Sequence, residues 1–192
     1  MSRYELLVFL HVACAIVWLG AGFLMVVLEL KASRSGDPAE LRHLGASNEW
    51  LALRLFIPSS LLTLVFGILL VADGPWTIGT LWVDLGLAGF ALTFLAGIGV
   101  LKPTGEKVKA ALEREGPGSP EVAKLSHRLS LAGRLDLVVL FAVVAVMASK
   151  PASGDAGTLA GLGIGIVAAW LLIVWASGRK SAAPQAAAVP EA

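Results

Sequence analysis

The sequence predicts an all-α, polytopic transmembrane helix bundle with five spans, and three observations carry that reading. The 192 residues are 57% hydrophobic and only 15% charged, with a mean hydropathy of +0.80, which lies outside the range of ordinary soluble domains. The apolar residues gather in five long runs, and the basic residues concentrate in alternate connections between them. The runs are continuously apolar, whereas barrel strands would alternate over about ten positions. Helices are therefore expected, because they satisfy every backbone group within lipid. A net charge of +1 gives no basis for a nucleic-acid partner.

The spans are expected at about residues 4–30, 51–72, 80–101, 132–149 and 157–177, within a single domain of residues 1–180. About 20 residues rising roughly 1.5 Å each cross a hydrocarbon core of ~30 Å. The first run follows a lone Arg3 and exceeds the apolar core of a signal peptide, so it is expected to remain in the mature protein. Asp37-Pro38-Ala39-Glu40 and Ser119-Pro120-Glu121 each place a cap, a proline and an acid in the order that opens a helix. The second of these helices is expected to continue into the fourth span. Pro58 predicts a kink in the second span, with Ser59, Ser60 and Thr63 answering the freed carbonyls.

In the fifth run, Gly157, Gly161 and Gly165 make one smooth face suited to close packing, expected within the chain. The Ala- and Pro-rich tail, residues 181–192, is expected to be disordered. Thirteen of the fifteen basic residues fall on one side if the N-terminus is outside and the C-terminus cytoplasmic. That topology is expected, in the cytoplasmic (inner) membrane of a bacterium.

His11, Cys14, Trp18, Gly22 and Met25 recur every three or four residues and form one stripe on the first helix. An ionisable side chain in such a segment is costly and commonly marks a functional site. By depth, His11, Cys14, Asp84 and Met147 could share one level near the outer surface. His43 and His127 lie toward the other end, some 20 Å or more away, too far to share an iron with His11. A second group, Glu29, Arg54, Arg134 and Asp136, gathers at the inner end. It is expected either to form ion pairs that lock helix register or to hold an anionic ligand or headgroup.

Three chemistries fit the His11 stripe. A haem or porphyrin site would take an imidazole ligand and small residues beside it, which His11, Trp18, Gly20 and Gly22 offer, with Asp84 orienting the histidine. A copper site would use His11, Cys14 and Met147, since thiolate and thioether ligands suit Cu(I). In the third reading His11 donates to Asp84 or to a backbone carbonyl and only pins two helices.

Leu7-Val8-Phe9-Leu10-His11, continuing to Trp18-Leu19-Gly20, together with Trp82-Val83-Asp84-Leu85, Leu101-Lys102-Pro103 and Met147-Ala148-Ser149-Lys150-Pro151, resembles the predicted bacterial integral membrane family called domain of unknown function 2269. The resemblance covers most of residues 5–151. The His-to-Trp pattern alone also resembles the first helix of membrane-bound protoporphyrinogen oxidase and of copper-resistance D-type membrane proteins. The oxidase resemblance implies an essential role for His11; where that family carries a lysine near the start of a later helix, this chain has Asp84. The expectations are a haem- or porphyrin-associated redox protein with haem b as cofactor, a cofactor-free accessory subunit of a respiratory or photosynthetic membrane complex, and a copper-handling protein. Whether it is an enzyme stays open. Beyond the lipid bilayer, the partners to expect are complex subunits or a second copy. No P-loop or dinucleotide-binding glycine pattern occurs.

Overall fold

Each long apolar run becomes a helix because the bilayer leaves the backbone no other partner, and the connections among the described residues are short turns or helical extensions. The computed structural model describes residues 1–35 and 38–181, and every regular element among them is helical. The helices are α1 (Arg3–Ser35), α2 (Pro38–Leu51), α3 (Ile57–Asp73), α4 (Leu81–Ala96), α5 (Lys102–Glu115), α6 (Pro120–Ser149) and α7 (Ala156–Ser181). Five helical stretches are long and apolar enough to cross a membrane: Arg3–Ala32, Arg42–Asp73, Leu81–Glu115, Pro120–Ser149 and Ala156–Gly178.

The second and third spans extend beyond the apolar runs, since each continues through a wide turn into a polar helix. α2 joins α3 through a π-helical turn, Ala52–Phe56, and α4 joins α5 through another, Gly97–Leu101. Each turn ends two residues before a proline, Pro58 in one case and Pro103 in the other. Proline donates no N–H, and its ring crowds the carbonyl four residues back. Widening the helix relieves that clash: the N–H of Ile57 reaches Ala52 and that of Lys102 reaches Gly97, five residues back in both cases. The hydroxyls after Pro58 behave as expected. Ser59 donates to the carbonyls of Leu55 and Phe56, Ser60 to Ile57 and Thr63 to Ser59.

Caps set the other ends. Ser2 and Glu5 exchange hydrogen bonds at the start of α1, a reciprocal arrangement that satisfies two orphan donors. Ser119 accepts from the N–H of Glu121 at the start of α6, which runs unbroken from Pro120 into the span. Asp37 and the tail after Ser181 lie outside the described residues. α6 ends at Lys150, held left-handed at φ 45° with its N–H on Val146, and Pro151 prevents continuation. The Lys150 ammonium then sits 5.2 Å from the Trp76 ring and 5.3 Å from that of Trp82. This cation–π contact offsets the backbone strain at Lys150.

α1 lies antiparallel to the α2–α3 rod along its whole length. At one end the Tyr4 ring meets Gly74 and Arg3 lies 3.6 Å from Asp73; at the other Asn48 donates to the Met25 carbonyl at 3.2 Å and Lys31 meets Glu40 at 3.0 Å. α6 is the hub, packed against α1, α4, α5 and α7. Glycines allow the closest approaches: a Cβ on Gly86 would overlap the Met147 methyl, and one on Gly89 would overlap Val143.

α7 departs from expectation. Gly157, Gly161 and Gly165 have nothing within 4 Å of an added Cβ, so the glycine face is not used among the described residues. α7 instead docks on α6 through the Trp170 indole, which donates to the Leu135 carbonyl at 3.2 Å. A bulky aromatic with one polar atom anchors better here than a smooth face, because lipid offers that N–H no acceptor.

Helix contact at Gly89 gives a direct test. Gly89→Ala should lower stability by about 1–3 kcal/mol, because the stiff, branched Val143 cannot yield, whereas Gly86→Ala should cost less because Met147 can swing aside. Thermal unfolding in detergent should show Val143→Ala restoring much of the Gly89→Ala loss; an unchanged midpoint in Gly89→Ala would mean α4 and α6 are not in contact there.

Candidate functional site

α1 and α3 are both almost entirely apolar in the middle, so the few polar groups facing each other there decide how the two helices meet. His11, on the buried stripe of α1, points at α3, and its Nδ1 lies 2.9 Å from the Thr63 carbonyl oxygen. Gly67, one turn further along α3, makes room: a Cβ there would lie 3.1 Å from His11 Cε1 and 3.3 Å from Nδ1. A carbonyl only accepts, so Nδ1 carries the proton and donates it. In the neutral ring Nε2 then keeps its lone pair, free to bind a metal or take a proton. Of the three chemistries above, the hydrogen bond to a backbone carbonyl is thus present, and among the described residues the second nitrogen has no hydrogen-bond partner.

Two turns along the same stripe, Trp18 is 5% exposed and sits among aromatic rings. Its centroid is 6.1 Å from that of Phe56 in the first π turn and 5.5 Å from that of Phe90 on α4, and Phe90 stacks on Phe94. The indole N–H of Trp18 is buried with no acceptor among the described residues. Gly22, one turn further, is closed over: a Cβ would meet Leu140 and Phe56, each at 3.1 Å. Gly20 has nothing within 4 Å and is exposed, on the side of α1 away from the stripe.

The other residues expected at this level do not gather on His11. Asp84 is exposed and its Oδ1 accepts from the Gly79 N–H at 3.0 Å, closing the turn that leads into α4; among the described residues it forms no hydrogen bond with His11. Gly79 has φ 99°, which a glycine adopts without strain. Cys14 is a free, half-buried thiol on α1. The antiparallel pairing of Gly22 with Leu140 puts Met147 level with Ala15, close to Cys14 in depth, but its methyl is seated on Gly86 of α4. No group of three or more His, Cys, Asp or Glu side chains able to hold a metal occurs among the described residues. His43 on α2 and His127 on α6 are both exposed.

At the far end, Glu29, Arg54, Arg134 and Asp136 form no ion pair with one another within 4.0 Å among the described residues. Arg54 is exposed on the π turn, and Arg134 donates Nε to the Ser130 carbonyl at 3.1 Å. Glu29 turns toward Gly133 on α6. A long flexible cation reaches the interface or a carbonyl of its own helix more cheaply than it orders into a buried pair.

Sequence reasoning missed Thr63 as the acceptor for His11, and with it Gly67, Phe56, Phe90 and Asn48. A signal existed for the first pair. Thr63 and Gly67 are one turn apart on an otherwise apolar helix, and a glycine four residues beyond a carbonyl exposes that carbonyl to a neighbouring helix. The contact predicts a coupling. Gly67→Leu should destabilise the detergent-solubilised protein by about 1–3 kcal/mol by driving the imidazole off α3, and most of that cost should vanish in a His11→Ala background. Equal costs in both backgrounds would place His11 elsewhere.

No curated protein and no solved structure matches this chain. A profile for the family of predicted integral membrane proteins (DUF2269) matches residues 5–151, from the first turn of α1 through the proline that follows α6, leaving α7 outside. The chain therefore belongs to that family of predicted integral membrane proteins, DUF2269.

Proposed function

We propose that this integral membrane protein carries a haem- or porphyrin-associated redox site in which His11 is the ligand or proton-transfer group. One observation carries the reading: the Nδ1 proton is spent on Thr63 at 2.9 Å, so the ring is held in one orientation with Nε2 uncommitted. A metal-ligating histidine is normally held in this way, its other N–H given to a carbonyl or carboxylate. The Trp18 indole N–H, buried and without an acceptor on the same stripe, adds a hydrogen-bond donor that a carboxylate-bearing ring would satisfy. Gly22 offers no surface to a flat ring, since Leu140 and Phe56 cover it. A bound haem would supply one-electron transfer at its iron. The residues themselves orient the imidazole, keep Nε2 free of its own proton, and surround the site with apolar rings. Asp84 acts on the turn before α4, not on His11. The copper reading requires Met147 to leave Gly86 and join His11 and Cys14, and no observation favours that.

A second reading has its own support. α7 presents Gly157, Gly161 and Gly165 open to the surroundings, with Ile164, Val167 and Leu171 exposed beside them. Such a face suits a partner helix, as in an accessory subunit of a larger respiratory or photosynthetic membrane complex, or a homo-oligomer. The bias of basic residues supports placing the N-terminus outside the bacterial cytoplasmic membrane.

A visible spectrum of the protein purified in mild detergent after haem supplementation, before and after dithionite, tests the first reading. A Soret band that sharpens on reduction and is lost in His11→Ala, with membrane insertion unchanged, is expected. A colourless protein would contradict it, and copurification of that colourless protein with other subunits would favour the second.

A further inference from the structure

The unmatched polar atoms at the Glu29 end of the bundle share one chemical character. Glu29 on α1, Asn48 on α2 and Asp136 on α6 come from three helices, of which α1 packs against both of the others. Asn48 donates to the carbonyl of Met25, one turn before Glu29 on α1. Glu29 Oε2 lies 3.6 Å from where a Cβ on Gly133 would be, and Asp136 is one turn beyond Gly133 on α6. Asp136 keeps 8% of its surface and makes no hydrogen bond or ion pair among the described residues. Glu29 Oε1 and Asn48 Oδ1 are likewise buried with no donor. All of these atoms accept, so an anionic ligand or phosphate headgroup has nothing to bind; what the group lacks is a proton donor.

The surrounding charges do not supply one. Arg134 is the cation whose field reaches Glu29; its Nε is given to Ser130, and its guanidinium forms no ion pair with Glu29 within 4.0 Å among the described residues. Arg54 on the π turn is exposed; Lys31 on α1 meets Glu40, and Lys109 on α5 meets Glu49 of α2. Lys102, Glu106 and Lys107 of α5 are exposed. α3 carries no ionisable residue between Arg54 and Asp73, α4 none between Asp84 and Lys102, and α7 none before Arg179.

We propose that Glu29 and Asp136 form a proton-binding site within the membrane, with Asn48 Oδ1 accepting from the protonated Glu29 carboxyl. A proton from hydronium adds to a carboxylate oxygen; the O–H bond of the hydronium breaks and leaves water, and the group gains one positive charge. The new O–H donates to an acceptor that otherwise has none, and a proton needs no cavity. The site is separate from His11, 18 residues and about 27 Å away along α1, so it stands or falls independently of the redox reading.

Infrared spectra of the full chain in lipid bilayers, in H2O and D2O, test it. At neutral pH exposed carboxyls are ionised and silent in the protonated-acid C=O region. The wild type should show a protonated-carboxyl band that shifts in D2O and disappears at high pH. E29Q and D136N, each close in shape to the native side chain, should both diminish it, and the double variant should lack it. A wild type without the band would overturn the proposal, since its carboxyls would then be ionised and satisfied by water, Arg134 or a metal cation. So would a band that persists in the double variant; if a variant fails to fold, the wild-type spectra alone decide.

Discussion

The hydrocarbon interior of a bilayer offers no hydrogen-bond partner, so every polar group carried into it must be answered by the protein itself. That constraint organises this bundle. The prolines at positions 58 and 103 would each leave a carbonyl crowded and unmatched, and each is absorbed by a π turn that moves the hydrogen bond five residues back. The Trp170 indole anchors α7 on a carbonyl of α6, and the Lys150 ammonium rests on two indole faces where α6 emerges. In each case a polar atom chooses where two elements meet, because apolar side chains packed against lipid or against one another differ little in energy.

His11 and Glu29 answer the same constraint differently, and the difference separates their chemistry. His11 is satisfied at one nitrogen by a carbonyl that Gly67 leaves uncovered, which fixes its tautomer and frees the other nitrogen. Glu29 finds no donor for one of its oxygens among the described residues, and neither does Asn48 on α2. One end of α1 thus holds an imidazole bonded through Nδ1, and the other holds buried oxygen acceptors with no donor among the described residues.

What was legible in the sequence follows the range of each interaction. The five spans, the Ser119-Pro120 start of α6 and the hydroxyls after Pro58 depend on residues within a few positions of one another, and they could be read directly. Pro103 was equally visible, but its effect, continuing the third span into α5, needed the widened turn at Gly97–Leu101 to be recognised. The partners of His11 and Trp18 lie on helices whose rotation is set by packing, and no local pattern states it. Asp84 illustrates the risk: depth put it level with His11, yet the N–H of Gly79, five residues back along the chain, holds its carboxylate. The α7 glycines show the converse, a pattern with a familiar use that this chain leaves open to other helices.

The central claim is that Thr63 holds His11 as the Nδ1–H tautomer with Nε2 free. Nitrogen NMR of ring-labelled histidine in bilayers at neutral pH, with the His11 signals assigned by their loss in His11→Asn, tests it most directly. A protonated, hydrogen-bonded Nδ1 and a bare Nε2 are expected for His11. A proton on Nε2, in either the neutral or the charged ring, would contradict it.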